Sequence, residues 1–340
     1  MQTILSDKYL DEIKSIQKNF WGLQNRTISS NKIKNEQKLY DDTKLKFIAT
    51  VTSEPHVTIG YGSRCQFEIK RNHSYDNMSY YKNLVVKNLR VNEKFVKTIS
   101  LEINGCLIDK LCNYSEKNTF KMFRDVMNID DQTIVPFYCF VYNFLPIVFY
   151  SQIYIIVEFK QLYNIKDCAD EDIKDFSLTY DLYEIEETEL GKEYEFLTTQ
   201  MQFHGIESIT NQLMTINTNY NHIIQYFVIE SPTNIIEELF IEFYDGGPEN
   251  ILLKPLIIWK DGFYIIPLCP SLNPENMMKY GINFSRVDDA IFRIIFKEPV
   301  GGKVDEKGIT INEDHRLYIY AINSQIMVNM SEMLCVRHSS

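Results

Sequence analysis

The stretch Y-G-I-N-F-S-R-V-D-D-A-I-F-R-I-I-F, from Tyr280 to Phe296, sets a small polar turn directly against a strongly patterned apolar segment. Its polar side chains include Ser285, Arg286, Asp288 and Asp289, which can serve either a catalytic loop or a structural corner. Ser285 has no neighbouring histidine, and a serine hydroxyl is a weak nucleophile without an adjacent base. Asn283 and Ser285 suit the start of a turn, and the fork of Arg286 can satisfy Asp288, Asp289 and nearby carbonyls. Beyond the turn, only Arg293 interrupts the apolar run from Ile291 to Phe296. That pattern predicts a strand buried on both faces or nearly so. The stretch therefore reads as a corner leading into a strand.

The rest of the chain is written in the same style. Its 340 residues are 45% hydrophobic and 13% aromatic, with 22 Tyr and 21 Phe, which is enough apolar material for a large core and suits pleated, half-buried surfaces. Strand patterns separated by polar turns appear at 44–52, 64–71, 81–89, 98–105, 134–140, 147–159 and 175–185. They resume at 194–203, 222–230, 237–244, 251–259, in the opening stretch and at 316–330. A charged hinge near 186–193 divides the two sets. The most apolar run, Ile134 to Phe159, contains Pro136, Asn143, Pro146, Gln152 and Glu158, so it reads as two buried strands and not as a membrane helix. Residues 6–23 predict a helix, capped by Ser6, with Leu10, Ile13, Ile16 and Phe20 near helical spacing. Shorter helical patches fall at 118–127 and 273–280. Strands and helices do not alternate, which argues against a parallel α/β sheet with a cofactor-binding crevice. The expected organisation is a helix and linker arm over 1–38, a first sandwich over 39–190 and a second over 191–340. The helix either packs on its own domain or acts as an arm that binds a partner.

Composition narrows the function. A net charge of -11 and no basic cluster interleaved with aromatics argue against direct nucleic-acid binding. Seven cysteines, an odd number without a C-x-x-C pair, read as reduced and mostly buried thiols. The N-terminus lacks the basic and apolar regions of a secretory signal. Six histidines are scattered with no H-x-H or H-E-x-x-H spacing, so no metal centre is expected. Gly301-Gly302-Lys303 lacks the upstream glycine and following Ser or Thr of a phosphate loop. No G-x-S-x-G nucleophile elbow occurs. The acidic runs 169–172 and 184–190 read as solvated faces or hinges, since no calcium-loop pattern accompanies them. No catalytic residue, cofactor or metal ligand is expected.

Several motifs, taken in order, resemble a known family. Y-G-I-N-F-S-R-V-D-D-A-I-F-R-I, followed by L-Y-I-Y-A-I-N-S-Q-I-M-V-N-M-S-E-M over 317–333, is similar to the C-terminal signature of the double-jelly-roll major capsid proteins of large nucleocytoplasmic DNA viruses. F-E-I-K-R-N (67–72), L-E-I-N-G-C-L-I-D-K (101–110), L-P-I-V-F-Y-S-Q-I-Y-I-I-V-E-F (145–159) and the junction 178–193 resemble further elements of that family in the same order. The likeness spans roughly residues 45 to 333. The chain departs from the pattern at Val328 or Asn329, where the family has Arg, at Ser331-Glu332-Met333, where it has S-G-M, and at its C-terminal end.

The resemblance implies an all-β fold of two consecutive eight-stranded antiparallel sandwiches, a double jelly roll, preceded by the N-terminal helix. It carries the structural signature onto Gly105, Ile108, Asp109, Pro146, Asn283, Phe284, Ser285, Arg286, Asp288, Tyr320 and Asn323. The implied role is non-enzymatic: a capsid protein forming pseudo-hexagonal homotrimers in an icosahedral shell. Its implied partners are neighbouring capsomers and minor capsid proteins, with contact to an inner membrane through the N-terminal helix. The implied location is the virion, with assembly in the host cytoplasm. Two alternatives stand beside it: a scaffold or minor capsid-like protein that templates a virion membrane, and a jelly-roll carbohydrate-binding module or hydrolase.

Overall fold

The computed structural model describes residues 5–21, 45–55, 58–69, 84–114, 117–141, 145–147, 152–165, 172–185, 194–218, 220, 222–244, 250–287, 289–297, 315–330 and 333–336. The expected hinge at 186–193 and linker at 22–38 lie outside them. Contacts divide the chain into an N-terminal unit, residues 27–200 with 325–340, and a C-terminal unit, residues 201–324 with 1–26.

In chain order, helix α1 (Asp7–Trp21) precedes β1 (Leu45–Ser53), β2 (Arg64–Glu68), β3 (Leu84–Val91), β4 (Val96–Ile103) and β5 (Cys106–Cys112). Two short helices follow, α2 (Thr119–Met127) and α3 (Tyr138–Val141), and then β6 (Leu145–Pro146), β7 (Ile153–Phe159) and β8 (Leu178–Ile185). These eight strands form two antiparallel sheets, ordered β1-β8-β3-β6 and β2-β7-β4-β5. The order interleaves early and late strands, so each sheet closes only once distant segments meet.

The chain continues through β9 (Tyr194–Ser208), β10 (Leu213–Thr218), β11 (Ile223–Glu230), β12 (Ile236–Tyr244) and β13 (Ile251–Leu253). A hairpin of β14 (Ile258–Lys260) and β15 (Phe263–Pro267) leads to helix α4 (Pro274–Lys279), β16 (Ile282–Asn283), β17 (Asp289–Phe296), β18 (Arg316–Met330) and β19 (Met333–Val336). One sheet is ordered β10-β17-β12-β13. In the other, β9 pairs with β18, β18 with β11 and β11 with both β15 and β16. With the β14–β15 hairpin set aside as an insertion, β9-β18-β11-β16 and β10-β17-β12-β13 repeat the order of the N-terminal unit strand for strand. The two halves thus share one topology.

Alternation of side chains explains the sheets. Along β10 exposed and buried residues alternate one by one, and in β17 Ala290, Phe292, Ile294 and Phe296 enter the core. Around them Phe227 meets Phe292 at 4.7 Å and Phe284 at 5.3 Å in edge-to-face contacts. Such pairs add to the free energy of area burial. The opposite face of β17 differs from expectation: Arg293 is exposed, and Ile291 and Ile295 are half-buried between β10 and β12.

Helix α1 turns Ile13 and Ile16 into the core of the C-terminal unit. The Tyr9 hydroxyl donates to the Pro267 carbonyl at 2.7 Å, and burial, the main cause, raises its pKa. The helix therefore packs on its own unit.

One expected strand needs correction, and two tight hairpins are added to the expected pattern. Residues 134–140 do not form a strand: Ile134 makes a single bridge to Arg90, and α3 begins at Tyr138. Pro136 has no N–H to give a ladder, and the Asp109 carboxylate accepts the Tyr138 N–H at 3.0 Å, which starts a helical turn. Strand β5 follows β4 through a two-residue turn at Asn104 and Gly105, with φ of 50° and 82°. Positive φ at both positions is what the commonest tight hairpin requires, and Asn-Gly supplies it. Asp261 and Gly262 make the same turn between β14 and β15.

Candidate functional site

In the C-terminal unit, β16 pairs Ile282 with Ile224 and Asn283 with Ile223. The Asn283 side chain, almost fully buried, then accepts hydrogen bonds from the Ser285 N–H at 3.0 Å and from the Ser285 hydroxyl. This caps a single 3-10 turn over Phe284–Arg286, closed by the Val287 N–H on the Phe284 carbonyl at 3.3 Å. Phe284 drops into the core against Tyr220, Phe227 and Phe243. Ser285 is thus spent as a turn residue, its hydroxyl donated to Asn283. Asp288 and the side chain of Arg286 lie outside the described residues, so their expected pairing does too.

Across β11, Asn323 pairs with the other side of Ile224. Asn323 is fully buried, and neither its amide nitrogen nor its oxygen has a hydrogen-bond partner among the described residues. Tyr320, on the same strand, is fully buried with its ring 5.3 Å from Phe203. Beside them Gln225 donates to the Met277 carbonyl at 3.2 Å and to the Ser324 hydroxyl at 2.9 Å. Gly281 sits against this amide with φ of 99°, and a Cβ there would lie 2.8 Å from it. The corner is therefore a packed junction of backbone and amides around β11.

The remaining signature residues belong to the N-terminal unit. Gly105 holds the β4–β5 turn, and Ile108 is buried, its carbonyl accepting from the Gln200 amide at 3.0 Å. Pro146 pairs with Val85 at the edge of its sheet. Asp109 is fully buried. Desolvation drives its pKa well above the usual carboxylate range, against the pull of the Tyr138 and Lys110 N–H groups. The Cys139 thiol is pushed up by burial and by Asp109. The described signature residues thus divide into two groups, one per unit.

Two ion-pair clusters had no clear signal in the sequence. Asp181 accepts both Nη groups of Arg90 at 2.9 Å, the Asn88 amide at 2.9 Å and the Thr50 hydroxyl at 2.8 Å, knitting β1, β8 and β3 together. Burial pushes its pKa up, but these donors outweigh it and hold it below the ordinary value. Arg124 of α2 is 2% exposed and pairs with Glu93 through both Nη groups while also donating to the Ile134 carbonyl at 3.0 Å. Among the described residues, no group of three or more His, Cys, Asp or Glu side chains can hold a metal ion, and no helix is long and apolar enough to cross a membrane. Cys65, Cys112, Cys139 and Cys269 are buried and Cys106 is exposed, all as free thiols.

No family model matches the sequence, and no curated protein matches it. Solved structures do. PBCV-1 VP54, as fitted into a reconstruction of the virophage Sputnik, superimposes with a TM-score of 0.61 at 14% identity, covering 87% of this chain and 98% of that one. A quasi-atomic model of the PBCV-1 virus capsid gives a TM-score of 0.58 at 14% identity over the same shares. The chain has the double-jelly-roll fold. The strand order occurs twice along the chain, and the Asn283–Ser285 corner is the link from the sixth to the seventh strand of the second set. Identity this low shows shared architecture alone.

Proposed function

We propose that this double jelly roll is a structural protein of a viral capsid and works through assembly, without catalysis. The observation that carries the proposal is the match over 98% of the PBCV-1 VP54 chain, with the strand order repeated in both units. Two similar sandwiches per chain make six per trimer. Such a homotrimer has a pseudo-hexagonal outline that tiles a shell, with symmetric subunit contacts setting specificity. Exposed apolar residues on edge strands support it: Phe47 on β1, Leu107 on β5, Leu213 on β10 and Leu252 on β13. Edge strands with uncovered apolar side chains are a liability to a monomer and suit a protein that is covered by neighbours.

In this proposal the protein resides in the virion after assembly in the host cytoplasm, beside neighbouring capsomers and minor capsid proteins. Helix α1 buries Ile13 and Ile16 in its own unit and exposes Asp7, Lys8, Asp11, Glu12 and Lys14, so contact with an inner membrane would use this charged face. The test is the solution mass by light scattering with imaging of the same peak. A trimer with a hexagonal outline is the expected result, and a monomer at all concentrations would overturn it.

A further inference from the structure

A cleft of about 440 Å³ opens in the N-terminal unit where β3 ends and β8 begins. That size falls in the range of about 300–1,000 Å³ that small-molecule sites occupy. Charged groups of its wall are already matched within the fold: both Nη groups of Arg90 face Asp181, and the Glu93 carboxylate takes Arg124 and the Asn118 amide. Asp131 stands beside the wall, accepting the Thr133 N–H and hydroxyl at 2.9 and 2.7 Å, with its charge felt by Arg90 and Arg124. The cleft is lined by amides and hydroxyls of Asn92, Gln132, Thr133, Ser177 and Thr179, of which Asn92 accepts the Lys94 N–H, Gln132 donates to the Asp130 carbonyl at 3.4 Å and Thr133 donates to Asp131, each keeping further donor or acceptor capacity. The Ser177 and Thr179 hydroxyls make no hydrogen bond among the described residues.

This pattern discriminates between ligand classes. A phosphate or carboxylate calls for an uncompensated cation or a bidentate arginine, and the arginine here is occupied. An apolar ligand calls for apolar walls, and among the described lining residues Val91 is the one aliphatic side chain. Hydroxyls and amides that both donate and accept, flanked by neutralised ion pairs, complement a neutral polyhydroxylated molecule. We propose that this cleft binds a neutral sugar residue, free or at the end of a glycan. Binding is weak, since no aromatic ring belongs to the lining among the described residues, and it is independent of the capsid proposal.

The test is saturation-transfer NMR on the full chain with glucose, galactose, mannose and N-acetylglucosamine as probes, each at millimolar concentration. At least one is expected to show ring-proton enhancements. The double variant Ser177→Ala, Thr179→Val, its fold checked by circular dichroism, should weaken apparent affinity about tenfold through two lost hydrogen bonds. Gln132→Ala, in an exposed segment, should also reduce the signal if the double variant misfolds. Absence of enhancement with all four sugars, unchanged enhancement in a folded variant, or displacement by inorganic phosphate would each overturn the proposal.

Discussion

Replacing Glu93 with alanine tests the physical account of the N-terminal unit most directly. Arg124 is 2% exposed, and its guanidinium has two kinds of partner, the Glu93 carboxylate and the Ile134 carbonyl. Removing the carboxylate leaves a buried cation with one carbonyl, and breaking a buried pair from one side costs about 3–5 kcal/mol. The Ile134 bond remains, and the Glu93 side chain is itself 13% exposed, which together place the loss at the lower end, about 3 kcal/mol. For a unit of this size each kcal/mol moves the melting temperature about 2–4 °C, so a fall of about 6–12 °C is expected by calorimetry. Amide hydrogen exchange should accelerate in α2 and at the end of β3. The double replacement Glu93→Leu, Arg124→Leu removes both charges and should recover most of the loss, because apolar residues substitute for buried pairs at little cost. A single variant within about 1 kcal/mol of wild type, or a double variant worse than Glu93→Ala, would refute the reasoning.

Three further outcomes follow from the geometry. Gly281→Ala should destabilise the C-terminal unit by about 1–3 kcal/mol, from its positive φ and the clash with Gln225. Urea unfolding followed by Trp259, in the same unit, measures it, and wild-type stability would contradict the stated contact. Asp109 has a raised folded pKa, so its contribution is complete below the unfolded value of about 3.9 and is lost as pH climbs toward the folded one. Asp109→Asn keeps an acceptor for the Tyr138 N–H and should be the more stable protein at neutral pH, whereas parallel pH–stability curves would count against this account. Asp181 has the opposite sign: its lowered pKa stabilises above about 3.9 and the benefit disappears as pH falls through the folded value. The stability gap between wild type and Asp181→Asn should therefore close on acidification, and a gap that persists at low pH would rule out the ionised carboxylate as its source.

The all-β class was legible because strand periodicity is local. Alternating apolar residues mark β10 and β17 whatever they pair with, and the apolar spacing of Ile13 and Ile16 marks α1. The capping role of Asn283 was also within reach, since an Asx residue two positions before its partner reads as a turn without tertiary knowledge. The tight hairpins at Asn104-Gly105 and Asp261-Gly262 carried a sequence signal that the strand pattern alone had obscured.

Other features depended on partners remote in the chain. The helical turn at Tyr138 rests on Asp109, which lies 29 positions earlier, and the Arg90–Asp181 pair spans 91 positions. Nothing in the local pattern of 134–140 distinguishes a buried strand from a bridge followed by a helix. The repeated strand order could not be read either, because pairing β1 with β8 or β9 with β18 is decided by closure of the sheet over long loops. Sequence by itself determined the all-β class and most of the segments that extend, since side-chain period is a local property. Only the tertiary structure decided which strands pair, which charges are neutralised in burial and where a polar cleft remains, because these depend on distances between residues that the chain order keeps far apart.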